Sequence, residues 1–301
     1  MSVQAPTETA GKTQRLFPGI VGAVRPRQWL KNVLVSAAPI AGGVLLERGV
    51  LVNIAVAFLA FCLAASGIYL INDLRDIEAD RTHPIKRNRP IAAGVVPAPL
   101  AVSLAVVLLL AALGVSLMAT VELLVVVAVY EVAQLAYCFG LKHQPVLDLC
   151  IVASGFLLRA VAGGAAAQIP LSQWFLMCAG FGSLFMVAGK RYAEIRLSEK
   201  TGVITRRILD SYTPSYLRFV WTLAAAGVVT AYSLWSFEIR ELNDSPWSVI
   251  SIVPFVIAVL RYAVDVDGGD AGEPEDIALR DHVLQVLALV WLATLAASVY
   301  A

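Results

Sequence analysis

Runs of apolar residues, about 17 to 23 long and nearly free of charge, dominate this 301-residue chain. That is the length a helix needs to cross roughly 30 Å of hydrocarbon. Nine such runs lie near 31–46, 50–72, 97–118, 120–141, 146–168, 171–190, 214–237, 246–264 and 281–300. Backbone amides in lipid must be satisfied within their own segment, so the runs predict helices; a transmembrane barrel would show ten-residue alternation, which is absent. The expected fold class is all-α, a polytopic integral membrane protein with nine transmembrane helices in the lipid bilayer. At 59% hydrophobic and 15% charged residues, a soluble enzyme is excluded. A net charge of +1, with no basic arm and no zinc spacing, gives no reason to expect nucleic acid as a partner.

Ahead of the first run, residues 1–14 read as a disordered tail. Residues 15–30 mix Arg15, Arg25 and Arg27 with Leu16, Phe17, Ile20 and Trp29, which suits a helix lying among headgroups. Residues 15–301 are read as one domain. Cys62, Cys138, Cys150 and Cys178 fall in or beside apolar runs without CxxC spacing, so they read as buried small hydrophobes rather than disulfides or metal ligands.

Charge placement orients the chain. Of 23 Lys and Arg residues, 20 fall in the N-terminal region and on the alternate loops 73–96, 142–145, 190–218 and 261–281. Only Arg48 and Arg240 lie on the opposite side, and Arg159 sits inside a span. The positive-inside rule therefore predicts a cytoplasmic N-terminus and cytoplasmic large loops in a cell inner (plasma) membrane. The acids gather on the same side, so polar groups open onto one face. Alternating access would call for two symmetry-related repeats, which the sequence lacks, and a one-sided polar face points to an interfacial enzyme.

The chemistry concentrates in Asn72-Asp73-Leu74-Arg75-Asp76-Ile77-Glu78-Ala79-Asp80, at the end of the second run. If the helix continues, Asn72, Asp73, Asp76 and Asp80 share one stripe. Like charges at that spacing repel, so the stripe implies a neutralising cation. Hard oxygen donors without His or Cys favour Mg²⁺, held through a few carboxylates and a substrate phosphate. A basic run follows directly, Arg81-Thr82-His83-Pro84-Ile85-Lys86-Arg87-Asn88-Arg89-Pro90. Acid for metal beside base for phosphate is what departure of diphosphate requires.

With this motif the sequence resembles the UbiA superfamily of intramembrane prenyltransferases, which carry N-D-x-x-D-x-x-x-D after the second helix. Arg25-Pro26-Arg27-Gln28-Trp29-Leu30-Lys31-Asn32, Arg89-Pro90-Ile91-Ala92-Ala93-Gly94 and Arg159 to Gly163 extend the match. Tyr137 to His143, Gly189 to Glu194 and Arg261 to Asp281 resemble the actinobacterial branch that moves 5-phosphoribose from phosphoribosyl diphosphate to decaprenyl phosphate for arabinan synthesis. The resemblance implies a cavity open to the cytoplasmic face and laterally to the bilayer, with Mg²⁺ as cofactor. The family's second motif, D-x-x-x-D after helix six, is here Lys190-Arg191-Tyr192-Ala193-Glu194, one acid beside two cations. That suits a donor with more phosphate to hold. Asp73, Asp76, Asp80 and Glu194 are then the expected catalytic groups, with Asn72, Asp73, Asp76 and Asp80 on the metal. Lys31, Tyr69, Asn72, Lys86, Arg87, Tyr137, Lys142, Arg159, Lys190, Arg191 and Tyr192 are the expected substrate contacts.

Two charges stand inside spans, Arg159 and Glu131. Each is costly there, by about 2.5–3.5 kcal/mol on insertion scales, so both are expected to face the bundle interior. The acids from Asp265 to Asp276 are read either as a second polar site or as a charged connector. Prenyl transfer from a polyprenyl diphosphate to a small acceptor is the alternative enzymatic reading, and a transporter or lipid-binding protein the alternative outside catalysis. A homo-oligomer is compatible with the sequence but not required by it.

Overall fold

The protein is described here by a computed structural model, in which residues 8–201, 207–268, 277 and 280–300 are described. Every one of the nine apolar runs is helical, and no strand occurs among the described residues. Helix α1 spans Glu8–Val24 and so takes in part of the segment read as a tail. The first apolar run is a 3-10 segment, Pro26–Ser36, followed by the short helix α2, Ala37–Ala41. Next come α3 (Arg48–Arg75), α4 (Ile77–Thr82), α5 (Ala98–Ser116), α6 (Val121–Cys138) and α7 (Leu147–Ala167). Helices α8 (Gln173–Thr201), α9 (Pro214–Asn243), α10 (Trp247–Ile250), α11 (Ile252–Gly268) and α12 (His282–Tyr300) complete the chain.

Six helices are long and apolar enough to cross a membrane: α3, α5, α6, α7, α9 and the α10–α11 unit Trp247–Gly268. The other three runs fall short of that measure for separate reasons. The first is broken between 3-10 and α geometry with Pro39 inside α2, α8 carries charges from Lys190 onward, and α12 is apolar throughout the part whose side chains are described, His282–Ser298.

Local chemistry sets several boundaries. The Thr120 and Thr213 side chains accept from the backbone N–H of Leu123 and Tyr216 and so cap α6 and α9. Pro99 and Pro214 stand in the first turns of α5 and α9, where a missing N–H does no harm. Packing between α3 and α5 rests on small residues: Ala57, Ala60 and Ala64 of α3 and Ala101, Ala105 and Ala112 of α5 are all buried. Without a hydrophobic driving force between helices in lipid, such residues let backbones approach closely. The outward faces of α5 and α6 carry exposed Val107, Leu110, Val125 and Val132, as lipid-facing surfaces should.

The four cysteines are free thiols, as expected. Cys62 and Cys138 are buried, but Cys150 is exposed, because it falls on the outer side of the first turn of α7.

Candidate active site

The aspartate motif straddles a break. Helix α3 ends at Arg75, Asp76 leaves helical geometry at φ −101° and ψ 9°, and α4 restarts at Ile77. The four oxygen-bearing side chains therefore do not run as one straight stripe, since the break at Asp76 turns them toward different partners. Asp73 and Asp80 point inward, at 1% and 3% exposure, while Asp76 stays half-buried.

Each of these carboxylates meets a cation. Arg25 Nη2 donates to both oxygens of Asp73, at 2.6 and 2.8 Å. Arg89 Nη1 bridges Asp73 Oδ1 at 3.1 Å and Asp80 Oδ2 at 2.7 Å. Lys142 Nζ lies 2.5 Å from Asp76 Oδ1 and 3.5 Å from Asn72 Oδ1. The ammonium thus sits where two hard oxygen donors, four residues apart, converge on a positive charge. Among the described residues no three acids, histidines or cysteines converge as a ready-made metal cage. A Mg²⁺ ion needs only one or two carboxylates when substrate phosphates complete its shell. Asn72 and Asp76 fit that requirement, whereas Asp73 and Asp80 are engaged by arginines.

Arg25 is placed with some strain. It adopts the left-handed conformation at φ 54°, between α1 and the 3-10 segment, which costs about 1–2 kcal/mol in a residue other than glycine. The junction is pinned beside it, since Ser66 Oγ donates to the Val24 carbonyl and accepts from Trp29 Nε1. The guanidinium then lies 4.8 Å above the Tyr69 ring, one turn before Asp73. Sequence reasoning assigned site roles to neither Arg25 nor Arg89. Their only signal was membership of the two motif-flanking segments.

A second polar cluster continues from the first. Cys138 and Lys142, at the end of α6 and in the following turn, reach Asn72, and Tyr137 Oη donates to Asp148 Oδ1 at 2.8 Å. Asp148, fully buried at the start of α7, also accepts from Arg191 Nε and Nη2 at 3.0 and 3.1 Å. Arg191 Nη1 meets Glu194 Oε2 at 3.1 Å. The single acid of Lys190-Arg191-Tyr192-Ala193-Glu194 is thus joined in space by Asp148 from another helix, and Arg191 holds the two together. Arg191 is 3% exposed with three nitrogens committed to carboxylates, so it braces α7 against α8.

The remaining predicted contacts divide. Lys86 opens a short 3-10 turn between Asp80 and Arg89, with Arg87 exposed beside it. Lys190 is half-buried next to Arg191, and Lys31 is half-buried next to Asn32. Tyr192 turns away from the motif: its hydroxyl donates to Asp267 Oδ1 and accepts from Arg218 Nη2, and its ring stacks on Trp221. Arg159 lies deeper in the bundle and its hydrogen-bond partners are neutral. Nε donates to Asn32 Oδ1 at 2.7 Å, Nη1 to the Gly155 carbonyl at 2.6 Å and Nη2 to Tyr130 Oη at 3.2 Å. Both Arg159 and Glu131 are buried, as their position in spans requires. Of the acidic segment 265–276, Asp265 and Asp267 end α11, and residues 269–276 lie outside the described residues.

His83 holds the loop between the acids and the basic run. Its Nδ1 accepts from the backbone N–H of Ile85 and Lys86. Burial, together with the charges of Lys86 and Arg89, pushes its pKa below the usual histidine value against the opposing pull of Asp80.

Comparison with known proteins matches the geometry to a family. The model of the UbiA prenyltransferase family matches residues 36–279. The decaprenyl-phosphate phosphoribosyltransferase of Mycolicibacterium smegmatis is 58% identical over 304 residues, covering 97% of this chain and 96% of its own. That of Mycobacterium tuberculosis H37Rv is 60% identical over 288 residues, covering 94% and 95%. Among solved structures, a UbiA homologue from Archaeoglobus fulgidus bound to DMAPP and Mg²⁺ superposes with a TM-score of 0.72 at 16% identity, over 93% of this chain and 98% of that one.

Proposed function

The chain belongs to the UbiA prenyltransferase family, and on that footing we infer that it is the enzyme that transfers 5-phosphoribose from phosphoribosyl diphosphate to decaprenyl phosphate, releasing diphosphate. Identity of 55–60% to curated relatives of that activity, over nearly the whole chain, supports the acceptor and the transferred group. The observation that carries the mechanism is the pairing of Asn72 and Asp76 around one cationic position, flanked by arginines tied to Asp73 and Asp80.

Asn72 and Asp76 would hold Mg²⁺ against the diphosphate of the donor. Bound there, the ion supplies neutralisation of the charge that builds on the leaving group. Lys142, which holds that position in the structure, would then be available to a phosphate oxygen. Arg25 and Arg89, each about a quarter exposed, keep their remaining N–H groups aimed at the diphosphate because Asp73 and Asp80 fix their planes. Those two aspartates therefore act as positioning residues. Lys86, Arg87 and Lys190 are the candidates for the 5-phosphate of the donor, and Lys31 and Tyr69 are further candidate substrate contacts. As diphosphate leaves, C1 takes on oxocarbenium character and the lipid phosphate attacks it. A phosphate monoester is already anionic near neutral pH, so no strong base is required; Glu194 is the reserve candidate.

The setting follows from charge placement. We place the belt and the N-terminus on the cytoplasmic side of the plasma membrane. The first run, α8 and α12 complete a nine-span bundle around a cytoplasm-facing cavity, with residues 15–301 as one domain. The test uses donor labelled in the ribose ring: label must enter the lipid fraction only when Mg²⁺ and decaprenyl phosphate are both supplied. Activity on a polyprenyl diphosphate and a small aromatic acceptor instead would return the chain to ordinary prenyl transfer.

A further inference from the structure

A cavity of about 470 Å³ lies between the end of α8 and the start of α9, lined by Tyr192, Arg196, Pro214, Ser215, Arg218, Phe219 and Thr222. Two helical stripes build it. Tyr192 and Arg196 stand four apart on α8, and Ser215, Arg218, Phe219 and Thr222 follow the i, i+3, i+4, i+7 spacing on α9. Arg191, one residue and about 100° before Tyr192, points instead to Asp148 on α7. The body of α8 therefore separates this cavity from the aspartate belt.

We propose that this cavity binds a lipid-anchored phosphate at a site distinct from the transfer centre. Both charges in its lining are guanidinium groups. Arg218 is held by Tyr192 Oη at 2.6 Å and Asp267 at 3.2 Å. Arg196 reaches Glu199 only at 3.5 Å, and its Nε is buried with no hydrogen-bond partner among the described residues. The Arg196 side chain is nonetheless 41% exposed, and a phosphate oxygen in the cavity would accept from its accessible guanidinium N–H groups. Glu199 and Asp267 are half exposed and lie outside the lining. Beside Arg218 the lining turns apolar: Phe219 is 62% exposed and Leu223, one turn on, 53%, on a helix long and apolar enough to cross the bilayer. Cations at the end of a span, above an apolar wall that faces lipid, match a phosphate carried on a hydrocarbon chain. Inorganic phosphate has no use for that wall.

The experiment labels the full-length protein in nanodiscs with diazirine-bearing phosphatidylglycerol, with phosphatidylcholine as the zwitterionic counterpart, and maps the cross-links by peptide. Phosphatidylglycerol should label the 192–222 region. Arg196→Gln, which leaves the Arg218–Tyr192–Asp267 contacts in place, should lower that labelling about tenfold, the loss of one charge-assisted contact. Thr222→Trp, at an exposed position, should block the cavity without changing charge and lower labelling as well. Competition by polyprenyl phosphate supports the site and names the acceptor lipid as its source; competition by anionic phospholipid alone names the bilayer. Equal labelling by phosphatidylcholine, unchanged labelling in both variants, or displacement by millimolar inorganic phosphate would overturn the proposal. Because labelling needs no turnover, its failure is separable from failure of the transfer reading.

Discussion

Gly163→Ala isolates what the close approach of α7 to the 3-10 segment contributes. A Cβ added at Gly163 would stand 2.0 Å from the Val35 carbonyl oxygen and 3.0 Å from its carbon. Ordinary contact begins near 3.4 Å, so the two backbones must part by about 1.4 Å. The obstacle is main chain, and no rotamer relieves it. Taken along the line between them, the same displacement stretches the Arg159 Nε to Asn32 Oδ1 bond from 2.7 Å to about 4 Å, past hydrogen-bonding range. Overpacking costs about 1–3 kcal/mol, and an intramembrane hydrogen bond adds roughly 1 kcal/mol. The expected destabilisation is therefore about 2–4 kcal/mol. Gly114→Ala is the matched control, because nothing lies within 4 Å of a Cβ there, and alanine inside a helix gains about 0.5–1 kcal/mol over glycine. Thermal unfolding in detergent should show Gly163→Ala several degrees below the parent and Gly114→Ala at or above it. Equal midpoints for the two variants would refute the argument that the Val35 backbone seats Asn32 against Arg159.

Other expectations separate chemistry from scaffold. Asp76→Asn should abolish turnover, by 100-fold or more on the scale of a lost charge-stabilising group, with a smaller loss of thermal stability than at Asp73 or Asp80, because its side chain is 30% exposed; unchanged turnover would remove Asp76 from the cation site. Asp73→Asn and Asp80→Asn should lose both turnover and stability, since the first strands Arg25 and the second takes from Arg89 the nearer of its two buried carboxylates; a variant stable yet inactive would make that aspartate a direct ligand instead. Asp148→Asn should destabilise by about 3 kcal/mol, because buried Arg191 is left with Glu194 as its carboxylate partner, and adding Arg191→Gln should restore part of it in a double-mutant cycle. The loop at His83 should loosen in acid. Its depressed pKa means that neutral His83 stabilises the loop fully above about pH 6.5 and that this is lost as pH falls through the lower folded value. Faster amide exchange at Ile85 and Lys86 near pH 5 than the chemical rate predicts would show it, and an unchanged protection factor would not.

How much of this was legible in the sequence depended on whether a property is local. Hydropathy located the six long apolar helices, because fitness for lipid is written into each segment separately. It did not distinguish α-helix from the 3-10 geometry of Pro26–Ser36, since either satisfies its own backbone and carries the same apolar side chains. The spacing of Asn72, Asp73, Asp76 and Asp80 announced a cation, but not the break at Asp76 that divides the four between Lys142 and two arginines. Pairings across the bundle left no trace in local pattern: Asp148 meets Arg191 from 43 residues away, and Asn32 meets Arg159 from 127. For Arg191, read as a substrate contact, the sequence carried no sign of the Asp148 and Glu194 carboxylates that the fold sets against it. Arg159, a lone charge in a span, announced its burial but not the neutral partners that hold it.

Diphosphate release by the purified protein in detergent, with phosphoribosyl diphosphate, Mg²⁺ and decaprenyl phosphate present and each omitted in turn, tests the central claim most directly. The account predicts release that needs all three, with ribose label recovered in the lipid fraction in equal amount. Release without the lipid phosphate, or label absent from lipid while a polyprenyl diphosphate supports turnover, would contradict it.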